Sequence, residues 1–179
     1  MSLLFQWLNG IMVGEPLSYH RDIFWHALLW QGITPSLVHL NWGHWGLNML
    51  NLYAIMLLFP LVWSGWQLLR FLLQGSFFIL IMLYFFSPSV HQYAGFSGLL
   101  YALVVYAVIE TYQKDRWLSL SVGIFILLKL LMDRQINHLL GVDEALSHIH
   151  VTVEVHWYGA LWGINYLLIN LYYNNYNTK

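Results

Sequence analysis

The chain contains no cysteine. That excludes a disulfide, a thiolate nucleophile and any cysteine–metal site. Charge is also scarce. Only 8% of residues are Asp, Glu, Lys or Arg, where soluble domains carry about 25%. A formal net charge of −1 offers no basic surface for nucleic acid. Tandem repeats, low-complexity linkers and a composition break are missing, so residues 1–179 read as one domain. The first residues lack the basic region and small-residue cleavage site of a removable signal. His-Glu-x-x-His, the zinc-hydrolase pattern, is absent. So are the inverted repeats and broken midplane spans of a transporter. No metal and no cofactor are expected.

What is abundant is apolar surface: 59% of the chain is hydrophobic. A bilayer span takes about 20 mostly apolar residues. Five stretches qualify, at about 44–63, 66–86, 96–112, 117–132 and 153–173. A sixth, at 2–19, is interrupted by Gln6, Asn9, Glu15 and Pro16. The expected fold is an all-α membrane protein with six transmembrane helices. The segment 20–43 is too polar to span, and its tryptophans suit the membrane interface. It reads as a structured, half-immersed outer loop. A second long connection, 133–152, is polar and contains His138, His148 and His150. Lys and Arg lean toward the side of the termini, through Arg70, Lys114, Arg116 and Lys179. This places both termini in the cytoplasm and both long loops outside.

Alternate spans run in the same direction, so spans two, four and six all begin at the outer face. Each opens on polar or small residues. Span two opens with His44-Trp-Gly-Leu-Asn48, span four with Gly95-Phe-Ser97-Gly98, and span six with "VEVHWYGALWG", which holds His156, Gly159 and Gly163. At 1.5 Å per residue these groups share a depth within one or two turns. Gly159 and Gly163 form a small-xxx-small strip in line with His156, Gly98 and Ala102 form another, and Gly95 is expected to join Gly98, Gly159 and Gly163 as a helix-packing glycine. Pressed together, the strips bring His156 toward Ser97. His44 and Asn48, at i and i+4, face one spot.

Chemical roles follow from these residue types. A serine hydroxyl is a weak nucleophile that an adjacent histidine can activate; Ser97 and His156 are the candidates. A tetrahedral intermediate needs donors aimed at its oxyanion, and His44, Asn48 and the Ser97 backbone N–H can supply them. No acidic third member is assigned, because Glu154 lies at i−2 from His156 on another face. The reading is a Ser-His dyad. Each motif alone has a plainer explanation: Gly-x-Ser-Gly as helix packing, His44 and Asn48 as interhelical contacts. Their shared depth favours chemistry. Lys129 and Asp133 stand at i and i+4 inside or beside span five. They either neutralise each other, or one contacts substrate or orients the following loop. A zinc site at His148-x-His150 with His138 and His156 is a rival reading.

The set "HWGLN", "GFSG" and "HWYGALWG" resembles the rhomboid intramembrane serine proteases in order, spacing and span number. "LVHLNWGHWGLN", "KLLMD" and "VEVHWYGALWG" are most similar to the rhombosortase branch. The resemblance implies a bacterial inner-membrane protease with its active site toward the periplasm. It would cut membrane-anchored proteins that end in a Gly-Gly motif, a hydrophobic helix and a basic tail. It further implies a lipid amine as a possible acceptor of the acyl group, and identifies His39 as an additional histidine of the outer loop. Three positions depart from the pattern. Trp30-Gln31 stands where the family has Trp-Arg, Val155 where a small residue is usual, and Asp133 where the branch commonly has Glu. A relative that has lost activity and only holds membrane clients is the alternative. Such chains typically lack the serine or the histidine, and this chain has both.

Overall fold

The computed structural model describes residues 17–39, 41–59, 63–139 and 153–177. Six α-helices carry these residues: α1 (Phe24–Gln31), α2 (Trp42–Leu58), α3 (Gly65–Phe86), α4 (Ser97–Thr111), α5 (Arg116–Leu139) and α6 (Glu154–Asn177). Two short strands, β1 (Tyr19–His20) and β2 (Gln92–Tyr93), pair antiparallel with Tyr19 opposite Tyr93. The architecture is an all-α bundle: α2 to α6 stand where five of the six expected spans fall, and α1 lies in the expected outer loop. The predicted first span, 2–19, lies outside the described residues except for its last three. Of these, Tyr19 is strand.

Helix α4 is the centre of the bundle. Its Gly98–Val104 stretch is buried on every side, as are Tyr106 and Ala107. A short helix that is apolar all round must sit inside protein or lipid. α6 packs along it most extensively, with α2, α3 and α5 completing the surround. The α4–α6 contact is backbone against backbone. A Cβ placed on Gly159 would collide with the carbonyl oxygen of Gly98. One placed on Gly163 would meet the carbonyl of Ala102. Gly98 is itself boxed in by Ile79 and the Val155 carbonyl.

Helix ends depart from expectation where local chemistry decides. α2 stops at Leu58, short of 63, because Pro60 disfavours helical backbone at the residue before it. Phe59 adopts φ −126°, ψ 88°. α3 starts at a capping box: the Ser64 side chain accepts from Gln67 N–H, and the Gln67 side chain accepts from Ser64 N–H. α5 continues to Leu139, past the expected end at 132. No Gly or Pro interrupts 133–139, and the Lys129–Asp133 ion pair at 2.8 Å staples successive turns. Asp133 is therefore helical and buried, not the first residue of a polar loop.

The exterior is apolar. Leu50, Met56 and Leu57 on α2, Phe125 on α5 and Leu168 on α6 are all more than half exposed. Such faces are unlike those of a soluble monomer. Among the described residues, α3 is the one helix long and apolar enough to cross a membrane; α4 is apolar but shorter. Gly98 contacts Ile79, which lies seven residues before the α3 end at Phe86. Ser97 therefore starts about 10 Å below that end.

The glycine contact predicts a contrast. Gly159→Ala forces a methyl into a carbonyl and should lower stability by about 1–3 kcal/mol. Gly46→Ala, with open space around its Cβ, should be neutral or gain up to about 1 kcal/mol from helix propensity. Thermal unfolding of both variants in detergent measures this. Equal midpoints would mean that α4 and α6 do not touch at Gly159.

Candidate active site

Three helices deliver polar groups from their first turns. α2 is capped by Asn41, whose side-chain oxygen accepts the His44 N–H at 2.8 Å. The cap fixes the turn that carries His44, and Asn48 follows one turn later. Asn48 is buried, and among the described residues its Nδ2 finds no hydrogen-bond partner. Buried amide donors are almost always satisfied. Asn48 is one of the residues that line a cavity.

Ser97 is the first residue of α4, so its N–H belongs to the helix-start donors that have no intrahelical acceptor. Gly95 precedes the helix. Contrary to its expected part in helix packing, it is a turn residue with φ +151°. A side chain there would be strained, and its Cβ would stand 2.9 Å from His44 Cε1. The Gly95 N–H donates to the Pro35 carbonyl at 2.8 Å. The buried Tyr93 hydroxyl donates to the Gly95 carbonyl. The turn before Ser97 is thus held from both flanks.

α6 brings His156 to α4 through the glycine strip. Its Nε2 lies 3.1 Å from Ser97 Oγ, and its Nδ1 lies 2.7 Å from Asp133 Oδ2. The imidazole stacks on the Tyr101 ring, with centroids 4.4 Å apart at 26°. The Tyr101 hydroxyl donates to Asp133 Oδ2 at 3.1 Å and accepts from Lys129 Nζ at 2.8 Å. Lys129 also donates to Asp133 Oδ1 at 2.8 Å. The Lys129–Asp133 pair is therefore more than mutual neutralisation: its carboxylate reaches the histidine. The extra turns of α5 make this possible, and an expected helix end at 132 hides it. Tyr101 carried a readable signal, since it is i+4 from Ser97 and must share its face.

These groups converge on a cavity of about 490 Å³. His44, Asn48, Ser97, Tyr101, Asp133 and His156 line its polar end. Its remaining wall is mainly apolar, with Leu58 from α2 and Val122, Phe125 and Ile126 from α5. An imidazole between a hydroxyl and a carboxylate, with the Asn48 amide lining the same cavity, is suited to proton transfer from the hydroxyl and to holding a new anion. His39 is buried behind His44, rings edge to face at 5.3 Å, and does not line the cavity. Burial, then the charge of His44, pushes its imidazole down to about 4. His39 is therefore neutral near pH 7. His148 and His150, the core of the zinc reading, lie outside the described residues. Among the described residues no group of three or more His, Asp or Glu could hold a metal ion.

The outer segment 20–39 is ordered by an arginine other than the one absent at Gln31. Arg21 donates to the Tyr84 carbonyl at 2.6 Å and to those of Leu83 and Ser87, and its guanidinium lies 4.7 Å over the Tyr84 ring. It caps the C-terminal end of α3, where a cation is favoured. Phe24 stacks on Tyr84 at 4.3 Å. Gln31 is fully buried and accepts from His20 N–H at 3.3 Å. Trp25 and Trp30 face outward, while Val38 is buried.

No curated protein and no solved structure matches the chain. The Rhomboid domain does match, over residues 26–173. That interval takes in the capped helix with His44 and Asn48, the Ser97 turn and the His156 helix. With most of its length so covered, the chain belongs to the Rhomboid family.

Proposed function

We propose that this protein is an intramembrane serine endopeptidase with Ser97 as nucleophile and His156 as general base. The carrying observation is the 3.1 Å approach of His156 Nε2 to Ser97 Oγ at the polar end of an apolar-walled cavity. Oγ attacks the substrate carbonyl carbon while its proton passes to Nε2. Collapse of the tetrahedral intermediate breaks the C–N bond, and Nε2 returns the proton to the departing amine. An acyl-enzyme remains, to be released by water or by a lipid amine. Asn48 Nδ2, His44 and the Ser97 N–H are the oxyanion donors. The unsatisfied state of the Asn48 amide supports its part.

The substrate is a protein anchored by a C-terminal membrane helix. The apolar wall from α2 and α5 suits such a helix, and the polar end suits an extended backbone. The protein is a multi-pass inner-membrane enzyme with cytoplasmic termini, and its site faces the periplasm. The rhombosortase likeness of "LVHLNWGHWGLN", "KLLMD" and "VEVHWYGALWG" supports cleavage at Gly-Gly. Glycine weakens the substrate helix and leaves no side chain to strike the Gly95 turn.

Ser97→Ala and His156→Ala should each abolish cleavage of an anchored reporter and covalent labelling by a fluorophosphonate. Members of one catalytic unit cost about as much singly as together. Labelling of Ser97→Ala at the parent rate would end the serine-protease reading and leave a client-binding relative.

Asn48→Ala should lower kcat by about 100- to 1000-fold with little change in KM. A rise in KM alone would instead make Asn48 a docking contact.

Reporters carrying Gly-Gly, Ala-Ala or Leu-Leu before the anchor helix, co-expressed with the enzyme, test specificity. Gly-Gly should be processed and Leu-Leu spared. Equal processing would leave a general rhomboid protease.

A further inference from the structure

We infer that Asp133 is a positioning residue that sets the tautomer and orientation of His156, converting the Ser-His pair into a three-membered unit. The inference rests on the serine-protease reading and adds a group that a dyad lacks.

The argument is one of donor counting. Asp133 accepts at both oxygens. Oδ1 takes Lys129 Nζ at 2.8 Å, and Oδ2 takes the Tyr101 hydroxyl at 3.1 Å. The Tyr101 proton is committed to Oδ2, because its oxygen already accepts from Lys129 Nζ at 2.8 Å and an ammonium can only donate. The three side chains form a closed ring in which every proton has one direction. His156 Nδ1 approaches Oδ2 at 2.7 Å. Facing a carboxylate oxygen, Nδ1 must carry its hydrogen. In neutral imidazole Nε2 is then bare, and its lone pair points at Ser97 Oγ, 3.1 Å away. This is the tautomer a general base requires. The opposite tautomer would aim Nε2–H at the serine and a lone pair at the carboxylate.

The same geometry serves the charged state. When the Ser97 proton reaches Nε2, the imidazolium stands against a buried carboxylate. Tyr101 stacks on one face of the ring, so the imidazole is held in plane as well as at both nitrogens. Lys129, half-exposed at the cavity, pairs with Asp133 Oδ1 and leaves Oδ2 to Tyr101 and His156. Among the described residues, the other polar groups facing His156 are Ser97 from α4 and His44 from α2; Ser97 meets Nε2, and neither is paired with Nδ1.

The full-length protein in detergent tests this through Asp133→Asn and Asp133→Glu, beside the parent and Ser97→Ala. Asparagine keeps the volume but offers an N–H₂ group to the ring of donors, so the wrong tautomer is admitted. Asp133→Asn should cut kcat and the fluorophosphonate labelling rate by about 100- to 10,000-fold, leaving KM and the thermal midpoint near the parent's. Asp133→Glu should recover part of the loss. Parental kcat in Asp133→Asn overturns the inference, as does a loss carried by KM alone. If Asp133→Asn does not fold, ¹⁵N spectra of the histidine-labelled parent decide, with the His156 signals assigned by difference from His156→Gln. Protonated Nδ1 with bare Nε2 is expected; protonated Nε2 overturns it. A parent that is not labelled at Ser97 defeats the protease reading itself, whatever Asp133 does.

Discussion

Helices α4 and α6 meet with no side chain between them at Gly159, which lies directly against the Gly98 carbonyl. Everything at the candidate site hangs on that closeness. His156 sits three residues before Gly159, and Ser97 one residue before Gly98. Any side chain in the contact would push the helices apart and lengthen the 3.1 Å approach of Nε2 to Oγ. Gly163 against Ala102 continues the contact one turn on and fixes the rotation of α6. In a membrane, where apolar burial between helices gains little over lipid, such backbone approach is itself a main source of association.

Around this axis the protein builds rigidity from helix ends. Asn41 caps the turn that carries His44. Gly95, Tyr93 and Pro35 hold the turn before Ser97. Arg21 locks the outer segment to the end of α3. Reactive groups in first helical turns combine fixed backbone with free N–H donors, a combination suited to binding a developing anion. The short length of α4 sets Ser97 below the end of α3, so the candidate site is sunk in the bundle, with the cavity lined by α2 and α5 beside it.

The polar cluster of α5 shows how charge is tolerated in such surroundings. Lys129, Tyr101, Asp133 and His156 satisfy one another in sequence. A buried carboxylate with three donors is stable where a lone one would be costly. The same arrangement consumes every hydrogen-bond option of the imidazole except Nε2.

The amino-acid sequence by itself determined the class of the protein and the ingredients of its site. Scarce charge and long apolar runs dictate buried or lipid-facing helices. The spacings His44–Asn48 and His156–Gly159–Gly163 put those residues on common faces, because helical periodicity is local. Alternating chain direction put the starts of three helices at one end. The turn at Gly95 is hidden from the sequence because a positive φ belongs to a turn whose partners, His44 and Pro35, are distant in the chain. The Asp133 contact was beyond the sequence for a related reason. Whether α5 stops at 132 or winds on to 139 is settled by small local energies. Which neighbour the Asp133 carboxylate then meets depends on how α5 and α6 lean against α4. Likewise only the folded chain reveals that the end of α3 lies within reach of Arg21. Periodicity, being local, is written in the sequence; the meeting of two side chains from separate helices is decided by packing.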